Sequence, residues 1–209
     1  MRLFTRTVHL MGPPAEVGAY ALEIHSHVSQ ALGTDIGLWR VDFGEPVGTM
    51  VFSTRVEGLA QLQSQQATLA ADAAYLELVG KGAQYQSAPA EDALGDALHG
   101  GDGDMPPAGA VAQVTTAVIA GGAFAEAVAW GIDMAIHAEK VTDSPVGFYM
   151  DAFGTFGTVR WIGGAPDMQT AEEQQQALNT DTAYLEKLGS VGNLFVDASG
   201  GQVLATRIA

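Results

Sequence analysis

Hydrophobic and polar residues alternate along several short segments of the chain, and helix-forming stretches lie between them. Residues 2–10 alternate and are rich in strand-forming side chains, as are residues 111–119, so each segment predicts a strand. Residues 15–32 and 123–140 are rich in Ala, Leu, Glu and Val and predict a helix. Each half of the chain is therefore predicted to open with a strand followed by a helix.

Each half then continues with a hairpin, a long helix and a further strand. The predicted elements are strands 36–43 and 47–55, helix 58–79 and strand 83–88 in the first half, and strands 146–153 and 157–163, helix 167–188 and strand 192–197 in the second. Residues 202–208 predict an additional edge strand. The order β-α-β-β-α-β is that of the ferredoxin-like split unit.

The two halves also repeat one another residue by residue. With a shift of 109, residues 35–80 and 144–189 align without a gap and share twelve identical pairs, among them DAAYLE (72–77) and DTAYLE (181–186). Upstream, a shift of 110 fits better, so one residue is gained or lost before the second strand. The hexapeptide is predicted to form the last turn of the long helix, with its Leu in the core.

A boundary between the two copies is predicted at residues 99–109, which are rich in Gly, Pro and Asp. The predicted modules are therefore residues 1–98 and residues 110–209. A four-stranded sheet covered by helices on one face needs a partner for its other face. A second copy of the same sheet provides that partner, so the two modules are expected to close one α+β barrel within the chain.

In element order, duplication and length, the sequence resembles the dimeric α+β barrel superfamily, which includes antibiotic-biosynthesis monooxygenases, NIPSNAP-like proteins and EthD-like proteins. The resemblance covers both copies. It implies a barrel interior that holds a small organic ligand or, in some members, haem. It also implies cofactor-independent monooxygenation of a small aromatic or polyketide-like compound as a candidate activity. A non-catalytic ligand-binding or oligomerising module, such as a homodimer, is the alternative.

Composition narrows the classes of partner. The chain has 24 acidic and 9 basic residues and a net charge of −15, which argues against binding nucleic acid or anionic membranes. It contains no cysteine, which excludes disulfides, thiolate catalysis and cysteine-ligated metals and fits a cytoplasmic protein. The most apolar stretch, residues 110–136, is interrupted by glycines and charges, so no membrane span is predicted.

Side chains alternate between the two faces of a strand, so the polar face of each hairpin is expected to line the barrel. The apolar faces are assigned to the helices. The residues expected inside include Leu38 and Gly147, and the candidate catalytic cluster among them is Arg40, Asp42, Tyr149, Asp151 and Arg160. His9, Thr49 and Thr158 are the candidate ligand-binding residues. Such a cluster could bind an oxyanion or abstract an acidic proton, and internal salt bridges are the structural alternative.

The histidines give no metal site. His25 and His27 are two residues apart on a predicted helix, so they point in different directions and cannot share one metal ion. His27 aligns with His137, and a helical histidine binds haem in some members of the superfamily. No cofactor is expected apart from this haem alternative.

Overall fold

A computed structural model describes all 209 residues and shows two copies of a β-α-β-β-α-α-β unit. The first copy comprises β1 (Arg2–His9), α1 (Pro14–Leu32), β2 (Gly37–Phe43), β3 (Thr49–Val56), α2 (Leu59–Ala70), α3 (Ala73–Gly82) and β4 (Glu91–His99). The second comprises β5 (Val111–Val118), α4 (Phe124–Thr142), β6 (Val146–Asp151), β7 (Thr158–Ala165), α5 (Met168–Thr180), α6 (Thr182–Gly189) and β8 (Gly201–Arg207). None of these helices combines the length and apolar character needed to cross a membrane.

The eight strands form one closed antiparallel barrel in the order β1-β3-β2-β8-β5-β7-β6-β4. The last strand of each half pairs with the other half, β4 with β6 and β8 with β2. A step of four places along this order maps each strand onto its counterpart, so the halves are related by an approximate half-turn about the barrel axis. The predicted fold class, two tandem ferredoxin-like modules that form an α+β barrel within one chain, is confirmed.

The predicted last strands, 83–88 and 192–197, are wrong. Each of these segments forms only an isolated bridge, Leu10 with Gln86 and Ile119 with Phe195. The barrel-closing strands lie further along the chain, because each must reach the sheet of the other half. β8 therefore occupies most of the segment that predicted an extra edge strand, and it lies between two strands of the barrel.

The long helix of each half is broken in two. Asp72 has an extended backbone between α2 and α3, and its side chain accepts hydrogen bonds from the backbone N–H groups of Ala74 and Tyr75. Asp181 caps α6 in the same way by accepting from Tyr184. The hexapeptide therefore starts a helix instead of ending one, because its aspartate is an N-cap. The break also overturns the predicted core position of its leucines, since both are exposed: Leu76 and Leu185.

The pairing of β2 with β3 shows which side chains face the barrel. Gly37 pairs with Ser53, and in the second half Gly147 pairs with Ile162. Ser53 and Ile162 are equivalent at a shift of 109 residues, whereas their partners Gly37 and Gly147 are equivalent at a shift of 110. Strands β2 and β6 therefore align at a shift of 110. The first hairpin is one residue longer, and β2 has an irregularity against β8 at Asp42, between Val41 and Phe43.

A slip of one residue reverses the two faces of a strand. In β2, Trp39 and Val41 therefore face the interior, whereas Leu38 and Arg40 face outward. The predicted interior placement of Leu38, Arg40 and Asp42 is wrong for this reason. In the second half the predicted faces of β6 are in step with the structure, and Gly147 and Tyr149 face the interior.

Candidate functional site

A cavity of about 460 Å³ lies inside the barrel. An eight-stranded barrel is either filled by its own side chains or holds one small ligand. Here small residues at interior positions leave space: Gly147, Gly164, Ala112 and Ala205. The remaining wall is largely apolar and is formed by strands of both halves, through Leu3, Val51, Val114, Ile162 and Val203.

The segment between β4 and β5, residues 100–110, covers one end of this cavity, and we call it the lid. Met105, Pro106 and Pro107 of the lid lie against the cavity. Arg207, at the end of β8, donates hydrogen bonds to the carbonyl of Pro106 and to Oδ1 of Asp35, the latter at 2.9 Å. The Arg207 side chain is only 9% exposed, so the lid is tied to the barrel wall through a buried cation.

Trp39 and Tyr149 occupy matched positions on opposite halves of the cavity wall. The Trp39 indole N–H donates to Oγ of Ser53 at 2.9 Å. The Tyr149 side chain is buried, and its hydroxyl lies directly beneath the lid, since a Cβ built on Gly101 would lie 2.2 Å from that oxygen. Gly101 also has a φ of +84°, so glycine is required there both for space and for backbone conformation.

The hydroxyl of Tyr149 is a free hydrogen-bonding group at the cavity. It forms no hydrogen bond within the chain. Burial raises the pKa of the Tyr149 phenol, with Arg55 opposing the shift and Asp102 adding to it. The phenol therefore stays protonated at neutral pH and can donate a hydrogen bond to a molecule in the cavity.

Asp151 and Arg160 face the barrel interior but do not form part of the cavity wall. Nη2 of Arg160 donates to Oδ2 of Asp151 at 2.6 Å, and the Asp151 side chain is only 7% exposed. Burial raises the pKa of this carboxyl above its usual value of 3.8, and the charge of Arg160 opposes the shift. The pair lies beyond Tyr149 along β6, and Oδ1 of Asp151 and Nε of Arg160 are buried there without a hydrogen-bond partner.

Arg40 and Asp42 lie on the outer side of the barrel. Nη2 of Arg40 lies 2.7 Å from Oδ1 of Asp42, and the Arg40 side chain is 56% exposed. Oδ2 of Asp42 accepts a hydrogen bond from Thr206 on β8. These two predicted site residues are therefore separated from Tyr149 and Arg160 by the sheet, and they stabilise the β2–β8 contact.

His9, Thr49 and Thr158 lie on the interior face near the hairpins, away from the cavity wall. The hydroxyls of Thr49 and Thr158 donate to the carbonyls of Pro46 and Thr155, at 2.7 and 2.8 Å, so both close hairpin turns. Since the single proton of the Thr49 hydroxyl is committed, Nδ1 of His9 must donate to its oxygen at 3.0 Å. Nε2, the other nitrogen of the His9 ring, takes no part in this contact.

Two matched cavities lie between the sheet and the helices, one in each half, with volumes of about 220 Å³ and 140 Å³. Equivalent residues line these two, including Tyr75 with Tyr184 and Leu69 with Leu178. A further cavity of about 610 Å³ lies in the second half, between α5 and the outer face of β5 and β8. The repeated tyrosine of the hexapeptide therefore belongs to these outer cavities and not to the barrel.

The histidines do not fit a haem site. Nε2 of His27 contacts Asp72 at 2.7 Å, and Nε2 of His137 contacts Asp181 at 2.8 Å, so each ring is engaged by a helix cap. No histidine lines the barrel cavity or either matched outer cavity. No three His, Cys, Asp or Glu side chains are grouped as metal ligands.

Sequence reasoning missed Trp39 and Arg55 as cavity residues. Trp39 was assigned to the helix face because it lies on the apolar face of its strand, together with Val41 and Phe43. The matched pair Gly37 and Gly147 was the available signal for the correct offset. Arg55 lies two residues beyond Ser53 on β3, so extending the same alternation by one step would have found it.

No protein-family model and no curated protein matches the sequence. Solved structures do match. A candidate monooxygenase from Fusobacterium nucleatum is 9% identical, with a TM-score of 0.67 over 100% of this chain and 93% of that one. An anthrone oxidase-like protein is 10% identical, with a TM-score of 0.65 over 99% of this chain and 92% of that one.

A mutant chlorite dismutase from Candidatus Nitrospira defluvii is 11% identical, with a TM-score of 0.55 over 100% of this chain and 92% of that one. The chain has the dimeric α+β barrel fold. It forms both halves of this barrel from one polypeptide. At these identities the likeness concerns the fold alone, so the chemistry must be argued from the cavity.

Proposed function

We propose that this α+β barrel protein binds a small, largely apolar organic molecule in the cavity inside the barrel. The observation that carries the proposal is the cavity of about 460 Å³, kept open by small residues and covered by a tethered lid. Burial of an apolar molecule there would remove both its surface and the cavity wall from water. The two matched outer cavities are smaller, and that of the second half is partly filled by aromatic side chains such as Trp130 and Trp161. The outer cavity of about 610 Å³ along α5 is larger, but polar side chains such as Glu172, Gln175 and Gln202 line it, which does not suit an apolar molecule.

Cofactor-independent monooxygenation is the enzymatic candidate. Two structural neighbours are described as a candidate monooxygenase and an anthrone oxidase-like protein, which supports testing oxidation of an aromatic substrate. In the barrel, Tyr149 and Arg55 are the polar groups that could stabilise an oxyanion formed on such a substrate. Non-catalytic ligand binding is the alternative, and it differs by giving affinity without turnover.

A substitution that fills the barrel tests ligand binding. Gly164 lines the cavity, and a Cβ added there meets nothing within 4 Å, so Gly164→Val places bulk in the cavity without a clash. Gly163→Val, the neighbouring residue on the opposite face of β7, is the matched control. Thermal shift with 2-naphthoic acid or anthrone should show stabilisation of the wild type and of Gly163→Val, and none of Gly164→Val. Equal stabilisation of all three proteins would contradict the proposed site.

Oxygen uptake then separates the enzyme from the binding protein. Anthrone and O₂ yield anthraquinone and water, so uptake of one O₂ should accompany each anthraquinone formed. Turnover by the wild type that is lost in Gly164→Val would support oxidation in the barrel. Binding of anthrone without oxygen uptake above the protein-free rate would support the non-catalytic alternative. A homodimer and a cytoplasmic location stay predictions.

A further inference from the structure

Arg55 is an arginine without a partner. The chain has six arginines, and the other five each lie within 4.0 Å of a carboxylate oxygen: Arg2, Arg6, Arg40, Arg160 and Arg207. Arg55 has neither such an ion pair nor a side-chain hydrogen bond, although the chain carries 24 acidic residues. The other arginines pair with carboxylates both on the surface and in the interior, so Arg55 differs from them in where it points.

Arg55 points into the barrel cavity. It lies near the end of β3, on the same face as Val51 and Ser53, and pairs across the sheet with Leu3. Its side chain is half-buried against a largely apolar wall. A cation in such a place loses part of its hydration and receives no compensating anion from the protein.

Tyr149 provides a second free donor in the same part of the cavity. It comes from the other half of the chain and lines the same cavity as Arg55. Leu3 pairs with Arg55 on one side and with Gly95 on the other, and a Cβ built on Gly95 would lie 3.2 Å from Cβ of Tyr149. Its hydroxyl donates to no group of the chain. The two donors therefore approach one region of the cavity beneath the lid, where a molecule can accept hydrogen bonds from both.

The lid holds two acidic residues. Asp104 lines the cavity, and Asp102 lies near Tyr149. Neither forms an ion pair with Arg55, so the anion that satisfies the guanidinium is not supplied by the lid in this conformation. Asp104 is nonetheless the internal competitor for Arg55, and its removal should strengthen the binding of an external anion.

We propose that the barrel cavity selects an apolar molecule with one carboxylate, bound by the Arg55 guanidinium and the Tyr149 hydroxyl, and this selectivity rests on the proposed ligand binding in the barrel. A guanidinium matches a carboxylate with two parallel hydrogen bonds. The apolar remainder of the ligand contacts Trp39 and the aliphatic wall. A neutral ligand of the same shape would fill the cavity but leave Arg55 unpaired and desolvated.

The test compares two probes of matched shape, 2-naphthoic acid and 2-naphthamide, by isothermal titration calorimetry at neutral pH. The wild type should bind the acid about tenfold more tightly than the amide or better, since hydrogen bonds to charged groups have this size. Arg55→Gln should bring the two affinities to within about twofold by weakening the acid alone. Arg55→Lys keeps the charge but loses the paired N–H groups of the guanidinium, so its ratio of acid affinity to amide affinity should lie between those of the wild type and Arg55→Gln. Asp104→Asn should raise this ratio above that of the wild type.

Arg40→Gln is the matched control, because it removes an arginine from the outer face of the barrel. This variant should keep the acid preference of the wild type. Equal affinities of the wild type for the acid and the amide would overturn the carboxylate preference while leaving the proposed cavity site intact. Binding of neither probe would contradict the proposed function, and the preference with it. An acid preference unchanged in both Arg55→Gln and Arg55→Lys would overturn the role of Arg55.

Discussion

Nε2 of His27 lies 2.7 Å from Oδ2 of Asp72, and His137 repeats this contact with Asp181 at 2.8 Å. Each aspartate also caps a short helix, α3 or α6, through its other hydrogen bonds. The repeated aspartate of the hexapeptide therefore joins two helices in each half of the chain. This double role explains why a polar hexapeptide is duplicated without forming a duplicated active site.

Replacing the capping aspartates separates these two roles. Asp72→Ala removes both the cap and the contact with His27, and we expect the melting temperature to fall by roughly 2–4 °C. Asp72→Asn keeps a good capping residue and loses only the charge, so it should lower the melting temperature less. Scanning calorimetry of the two variants, with Asp181→Ala and Asp181→Asn as the second-half counterparts, measures both effects. Equal losses for Ala and Asn would show that capping contributes nothing.

The same carboxylates should make stability depend on pH in acid. The backbone N–H group of Tyr75 is the largest cause that lowers the pKa of Asp72, whereas the hydrogen bond with His137 is the largest for Asp181. A carboxyl with a lowered folded-state pKa contributes stability above its usual value of 3.8, and this contribution is lost as pH falls through the lower, folded value. Urea unfolding between about pH 2 and 5 should therefore be less pH-dependent in the double variant Asp72→Asn/Asp181→Asn. An unchanged pH dependence would contradict this assignment.

The ion pairs Arg160–Asp151 and Arg40–Asp42, which the sequence predicted to form one cluster, should differ in their effect on stability. Arg160→Met leaves the buried carboxylate of Asp151 unpaired and should lower the free energy of unfolding by about 3 kcal/mol. Arg40→Met removes a 56% exposed guanidinium and leaves Asp42 its hydrogen bond from Thr206, so it should cost less than about 1 kcal/mol. Urea unfolding at neutral pH measures both values.

The loss in Arg160→Met should shrink at lower pH. Burial already raises the pKa of Asp151, and loss of Arg160 raises it further. The cost of ionising this carboxyl is therefore absent below its usual value of 3.8, grows as pH rises from there towards the raised pKa, and is complete above it. A second substitution, Asp151→Asn, should recover part of the loss at neutral pH. Similar losses for Arg160→Met and Arg40→Met at neutral pH would show that the interior pair is not buried in solution.

The lid contains one glycine that cannot accept a side chain without strain, Gly101, and one that can, Gly103. Gly101→Ala places a methyl group against the Tyr149 hydroxyl and on a left-handed backbone, and should cost about 1–2 kcal/mol in unfolding free energy. Gly103→Ala meets nothing within 4 Å and should be nearly neutral. The double variant Gly101→Ala/Tyr149→Phe removes the closest contact, that with the hydroxyl oxygen, while Cζ of the ring stays 2.7 Å from the added Cβ, so it should recover part of the lost stability. No difference between the two single variants would contradict the placement of the lid on Tyr149.

The duplicated fold could be predicted from the sequence because duplication fixes element order twice. The closing strands could not, since β4 and β8 are defined by pairing with the other half, and no local pattern distinguishes them from 83–88 or 192–197. The helix break at Asp72 was also missed. Its apolar periodicity continues through the break, and only the capping role of the aspartate interrupts the helix.

The site was predicted in part, for a physical reason. The interior face of β6 was assigned correctly, which brought Tyr149 into the prediction. In β2 the prediction was out of step by one residue, so Trp39 lies inside the barrel where Arg40 was expected, because strand faces alternate with a period of two. Arg55 has no counterpart in the second half, where Gly164 stands at the matched position, so the repeat itself gave no signal for it.

The most direct measurement is a crystal structure of the protein grown with 2-naphthoic acid. Binding in the barrel predicts electron density for the naphthalene ring between Trp39 and Tyr149, beneath the lid, with the carboxylate at Arg55. Density in one of the outer cavities between the sheet and the helices, with the barrel cavity free of ligand, would contradict the proposed site.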